Sequence, residues 1–105
     1  MILEVATLDI KPGREAEFEE QFDRAQSVIR SMKGYVAHEL YRCVERESRY
    51  LLLVRWETLE DHTVGFRDSP EYDRWRSLLH GFYDPLPRVE HYEIVSAGGS
   101  ASAGN

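Results

Sequence analysis

The tripeptide Lys11-Pro12-Gly13 separates two different hydrophobic periods, and that change constrains the fold more than any other feature of the chain. Before it, residues 2–10, Ile-Leu-Glu-Val-Ala-Thr-Leu-Asp-Ile, read as a strand. Pro and Gly together end that strand in a turn. Beyond it, Ala16, Phe18, Phe22, Ala25, Val28, Ile29 and Met32 recur at steps of three and four, with Glu15, Glu17, Glu19, Glu20 and Arg24 on the other face. This spacing predicts an amphipathic helix of about five turns, its early acids lying where the helix dipole favours them. Gly34 is a natural stop at its C-terminal end.

The rest of the chain repeats the alternation. Tyr35 to Val44 and Tyr50 to Trp56 read as a second and a third strand, joined by a hairpin turn in the charged segment Glu45 to Arg49. Thr58 caps a short helix from Leu59 to about Arg67, and Ser69-Pro70 opens another running to about Phe82. Tyr72, Trp75, Leu78, Leu79 and Phe82 fall on one side of that helix. Asp84-Pro85-Leu86-Pro87 breaks it, and Arg88 to Ser96 is the last strand. The order β-α-β-β-α-β is the α+β, ferredoxin-like arrangement: a four-stranded antiparallel sheet with helices on one face. One domain is expected over residues 1–96, followed by a flexible Gly/Ser/Ala tail over 97–105 that has nothing to bury. Ile2–Asp9 and Tyr50–Trp56 carry apolar residues at odd and even positions alike, so both sheet faces look buried. Two subunits packed sheet to sheet satisfy that requirement, and a homodimer is expected.

Charge and cysteine usage narrow the function classes. Thirteen basic against nineteen acidic residues, net −6, argue against a nucleic-acid partner, which needs a basic patch to neutralise phosphates. The longest apolar run, Tyr50 to Val54, is strand-sized, so no membrane span is expected. Cys43 is the single cysteine and can form no intrachain disulfide. The N-terminus lacks the basic and apolar segments of a secretory signal, so a cytoplasmic protein is expected.

Taken together, the βαββαβ order, the Lys-Pro-Gly turn into a long first helix, Gly34-Tyr35 entering the second strand, Trp56 ending the third and the Ser-Pro-Glu-Tyr-Asp-Arg-Trp helix start resemble the antibiotic biosynthesis monooxygenase family of dimeric α+β barrels. The resemblance covers roughly residues 1–96. It implies a dimer with a pocket in each subunit between sheet and helices, and one of three uses for that pocket. The first is cofactor-independent oxygenation of a small electron-rich aromatic such as a quinol, phenol or anthrone. The second is binding of haem or another hydrophobic ligand. The third is a non-catalytic barrel whose helix face is solid core. The haem-degrading branch uses an asparagine in strand one, a tryptophan in the helix after strand three and a histidine ligand. Aligned on Gly13 and Ser69, those places hold Ala6, Phe66 and Arg76. His80, one turn beyond Arg76, is the side chain that could stand in as an iron ligand.

Oxygenation without metal or flavin needs a substrate that can itself reduce dioxygen once deprotonated. The protein must then bind a flat ring, remove a proton near neutral pH and exclude water. Histidine has the matching intrinsic pKa. His62, one helical turn from Phe66, and His91, pointing to the sheet face opposite Glu90 and Tyr92, are the candidate bases. A structural histidine that hydrogen-bonds a neighbour at the core edge is the commoner role for each. Phe66, Tyr72, Trp75, Leu79 and Tyr83 are candidate pocket walls, and Arg76 could hold a phenolate. A stripe at this spacing is more often core than pocket, and a surface ion pair with Glu71 or Asp73 is the commoner fate of an arginine placed like Arg76. His38, mid-strand, is a candidate for a subunit interface. No His or Cys pair has metal-ligand spacing, so no metal is expected.

Overall fold

Alternation in strand one sends Glu4, Ala6, Leu8 and Ile10 to one side, where all four are buried. That side faces the helices, and the whole fold is built upon it. The computed structural model describes residues 1–99. Strands β1 (Ile2–Asp9), β2 (Tyr35–Arg42), β3 (Arg49–Trp56) and β4 (Arg88–Tyr92) form one antiparallel sheet in the order β2-β3-β1-β4. Helices α1 (Glu15–Arg30) and α2 (Pro70–Leu79) cover the face carrying Glu4, Ala6 and Leu8. From β3, Tyr50, Leu52, Val54 and Trp56 point to the same core, meeting Phe18, Phe22, Ala25, Val28 and Ile29 of α1. This is the ferredoxin-like order read from the sequence. No helix among the described residues is long and apolar enough to cross a membrane.

The element boundaries differ from expectation where neighbours run out. β4 stops at Tyr92 instead of Ser96, because its last partner is Leu3 and β1 begins at Ile2. α2 ends at Leu79 and tightens into a 3₁₀ turn over His80–Phe82. Its start is as expected: the Ser69 Oγ accepts the Tyr72 N–H, with Pro70 in the first turn. The short helix after β3 is a π-helix, Asp61–Phe66, in which the Arg67 N–H bonds the His62 carbonyl five residues back. The wider turn leaves both His62 and Phe66 buried, and such turns recur at functional sites. The second sheet face is not sealed within one chain: Val36, Tyr41, Leu51 and Tyr92 lie exposed. His38 faces α1, bonding Gln26 and Tyr35 and packing edge-on to Phe22, so it belongs to the helix side and not to the open face. Of the tail expected over 97–105, residues 100–105 lie outside the described residues, and 97–99 are exposed without regular structure.

Gly34 joins the two layers. It sits at φ +83°, and a Cβ there would overlap the Asp61 side chain at the start of the π-helix. Gly34→Ala is therefore expected to cost about 1–2 kcal/mol from the left-handed backbone alone, and more from displacing Asp61. Urea denaturation measures the sum.

Candidate functional site

Register brings three polar side chains to one place under the sheet. Glu4 pairs with Val54 on one side and His91 on the other, so Glu4 and His91 share the helix-facing side. Trp56, at the end of β3, donates its indole Nε1–H to Glu4 Oε1 at 2.9 Å. The π-helix then lays the His62 ring on the Trp56 indole, with centroids 5.3 Å apart and planes 16° from parallel. In that position His62 Nε2 lies 3.3 Å from Glu4 Oε1, and its Nδ1 lies 2.8 Å from His91 Nε2. The result is a series, carboxyl to imidazole to imidazole, running from core to surface. The groups stand in line and not around a point, and no cluster among the described residues could hold a metal ion.

Beside this series lies a cavity of about 50 Å³, walled by Glu4, His62, Phe66, Tyr72, Trp75 and Tyr83, with His80, Arg67 and Pro87 contributing to its edge. Trp75 packs edge-on against Phe66 and Phe22 at 5.8 and 5.9 Å, and Phe66 meets Tyr72 at 5.2 Å. Each ring of the wall is therefore held by another ring. Tyr72, His80 and Pro87 are only half-buried and mark the side of the cavity nearest solvent.

Burial dominates the acid–base chemistry. Desolvation raises the Glu4 carboxyl to about 7, although the Trp56 hydrogen bond and the Arg67 charge pull the other way. His62 is pushed down to about 3, chiefly by burial and then by Arg67 and His91. His91 is lowered by burial and Arg67. Burial, with Tyr72 and Glu4 nearby, raises the Tyr83 phenol. The 3.3 Å contact between His62 and Glu4 is thus not a carboxylate–imidazolium pair: His62 stays neutral, and the proton choice falls on Glu4.

These two groups pull stability in opposite directions as pH changes. Glu4 holds its proton more tightly folded than unfolded, so its contribution is complete below pH 4.5 and is lost as pH rises to about 7. His62 holds its proton more weakly folded, so its contribution is complete above pH 6.5 and is lost as pH falls to about 3. Where the ranges overlap, between pH 4.5 and 6.5, the two act with opposite sign and oppose each other. In Glu4→Gln only the His62 effect remains, so unfolding free energy, relative to the parent chain, should fall steadily with acid across that window. Urea titrations at a series of pH values measure the difference.

The sequence-derived candidates meet in part. His62 and His91 touch, and Phe66, Tyr72, Trp75 and Tyr83 wall the cavity beside them. Leu79 is fully buried in the core but does not reach the cavity, and Arg76 is exposed away from it. As it stands the cavity is far below the several hundred Å³ of a cofactor pocket, so haem would not enter it without the walls moving. His80 is turned against the Tyr72 and Tyr83 rings at 6.5 and 5.4 Å. Glu4 was not among the expected residues. A usable signal existed, since an acid at position 4 shares its alternation with Ala6, Leu8 and Ile10 on the core side.

Comparison with known proteins agrees with this frame. The chain is 56% identical over 95 residues to the uncharacterized protein YczJ of Bacillus subtilis, spanning 90% of this chain and all of that one. A crystal structure from Bordetella bronchiseptica, assigned to the antibiotic biosynthesis monooxygenases, is 36% identical and superposes with a TM-score of 0.88, covering 90% of this chain and 97% of the other. SnoaB, a cofactor-independent oxygenase from Streptomyces nogalater, shares the fold at 18% identity with a TM-score of 0.79, over 91% and 94% of the two chains. Residues 1–78 match the family described as antibiotic biosynthesis monooxygenase. With that match and the shared βαββαβ frame, this chain belongs to the antibiotic biosynthesis monooxygenase family.

Proposed function

We propose that this chain is a cofactor-independent monooxygenase acting on a small electron-rich aromatic of the quinol, phenol or anthrone type. The observation that carries the reading is a buried acid–base series, Glu4–His62–His91, opening on a cavity walled by aromatic rings. Family membership and the shared fold of SnoaB support it. For an anthrone, the reaction converts a ring CH₂ and O₂ into a carbonyl and water. The Glu4–His62–His91 unit accepts a proton from the substrate. The resulting carbanion or phenolate passes one electron to O₂, and the radical pair joins through a new C–O bond. The proton returns to the distal oxygen as the O–O bond breaks, and the second ring hydrogen leaves with it as water. Phe66, Tyr72, Trp75 and Tyr83 would stack on the ring and keep bulk water away. A cavity of about 50 Å³ holds a water or two, so a ring enters only as the half-buried edge at Tyr72, His80 and Pro87 moves.

The same small volume favours a second reading, a non-catalytic barrel whose aromatic layer is closed core. Oxygen-electrode assays on chelator-treated protein with quinols and anthrones decide between them. Uptake proportional to protein and unaffected by chelator supports the oxygenase. Uptake no greater than buffer with every such substrate supports the closed core. The chain would act as a cytoplasmic homodimer, the second copy covering the open sheet face around Val36, Leu51 and Tyr92. Light scattering should accordingly give the mass of two chains.

A further inference from the structure

Of the side chains lining the cavity between sheet and helices, Arg67 alone keeps its charge throughout the neutral range. Glu4 loses its charge when it takes a proton, and burial has raised its carboxyl to about 7. Burial pushes His62 and His80 down from the ordinary imidazole value, so both rings are neutral there. It likewise keeps the Tyr83 phenol protonated. Ala6, Leu8, Leu52, Phe66 and Val89 add only apolar surface.

Chain geometry puts this cation at the cavity edge. Arg67 directly follows the π-helix; its N–H bonds the His62 carbonyl at 3.1 Å, and the next N–H, of Asp68, bonds that of Val64 at 3.0 Å. The backbone that carries the guanidinium is thus tied to the element that carries His62 and Phe66. Its charge acts on Glu4, His62 and His91, the polar groups beside the cavity. No carboxylate among the described residues is in ion-pair contact with it, whereas Arg14, Arg24, Arg42 and Arg49 each have one at 2.8–3.8 Å. The other arginines without such a partner, Arg76 among them, do not line the cavity.

We propose that Arg67 holds the ionised oxygen of an aromatic bound in the cavity, and that the site therefore selects phenolates over neutral rings of the same shape. A guanidinium offers a planar fork of donors suited to an oxygen anion. At the cavity edge it meets the ligand where water is excluded, so the attraction exceeds that between two fully solvated charges. A neutral ring gains only the contact with the aromatic wall. With Glu4 protonated, phenolate and guanidinium together leave the site neutral, whereas an ionised Glu4 competes with the ligand for the same cation. Such binding rests on the oxygenase reading in one respect: the half-buried edge at Tyr72, His80 and Pro87 must move to admit a ring.

Binding of two probes, 4-nitrophenol and nitrobenzene, tests this without any oxygen uptake. The first is yellow only when ionised, and the second is its neutral counterpart. Near neutral pH the full-length protein should deepen the yellow of 4-nitrophenol, because the bound form is held as the anion. Arg67 is exposed, so Arg67→Leu should fold as the parent does. In equilibrium dialysis this variant should bind nitrophenolate about fivefold more weakly, the upper end for a pair at an exposed cation, and nitrobenzene as before. Arg67→Lys keeps the charge and should recover much of the yellow. Bound nitrophenol that stays colourless in the parent overturns the role of Arg67, and so does an Arg67→Leu protein that changes both probes alike or neither. In each of those cases the cavity still admits rings. Binding of neither probe to the parent overturns the role of Arg67 together with the oxygenase reading.

Discussion

Glu4→Gln should lower oxygen uptake with a quinol or anthrone by about 10²–10⁴-fold, the share general acid–base catalysis ordinarily contributes. Glutamine preserves the volume of the side chain and leaves an oxygen for the Trp56 N–H, so packing around the indole is kept. What it removes is the ability to hold a proton. The parent chain should show a rate that rises with pH through about 7, because the base works only when ionised and burial has moved the Glu4 carboxyl to that range. That rise should be missing from the residual activity of the variant. An unchanged rate in Glu4→Gln, with the pH dependence intact, would place the base elsewhere. The uptake assay and the pH profile are read on the same protein, so misfolding is separated from lost chemistry by the near-ultraviolet signal of the two tryptophans.

Trp56→Ala should destabilise the protein by about 3–5 kcal/mol, the usual cost of emptying a large aromatic site in a core. Trp56 is fully buried, stacks on His62, and meets Phe66 and Tyr35 at 5.8 and 6.3 Å. It is thus the floor on which the π-helix rests. Trp56→Phe separates the two duties of the residue. A phenyl ring keeps much of the stacking but has no N–H, so Glu4 Oε1 loses its donor, at about 1–3 kcal/mol for a buried polar atom left short. The indole hydrogen bond also holds the Glu4 carboxyl down. Its loss should move the pH midpoint of activity upward, a change that packing alone would not produce. Denaturant unfolding reads the first effect and the pH profile the second.

The two variants bear on different parts of what could be read in advance. His62 and His91 were legible as candidates because imidazoles near a dense aromatic segment are chemically conspicuous. Their direct contact was not legible, because it crosses from the π-helix to an edge strand twenty-nine residues later. The π-helix itself was read only as a short helix: a turn of i→i+5 bonds has the same composition as one of i→i+4 bonds. Glu4 shares its alternation with Ala6, Leu8 and Ile10, but both faces of this strand are apolar, and only pairing with Val54 and His91 fixes that its side faces the helices. Arg76, one position from Trp75, shows the reverse case. Adjacency along a helix turns a residue about 100° away, and Arg76 points to solvent while Trp75 walls the cavity.

The amino-acid sequence by itself determined the elements and their order. Periodicity of two or of three and four, the Lys-Pro-Gly turn, and the Ser69-Pro70 start are local matters of backbone sterics and hydrogen bonding, and each acts within a few residues. Only the tertiary structure decided which polar side chains meet. The partners of Glu4 come from β3, the π-helix and β4, and they converge through strand register, which couples positions fifty to ninety residues apart. It likewise decided that Glu4 titrates near neutrality and His62 does not charge, because desolvation is a property of the assembled core and of no residue alone.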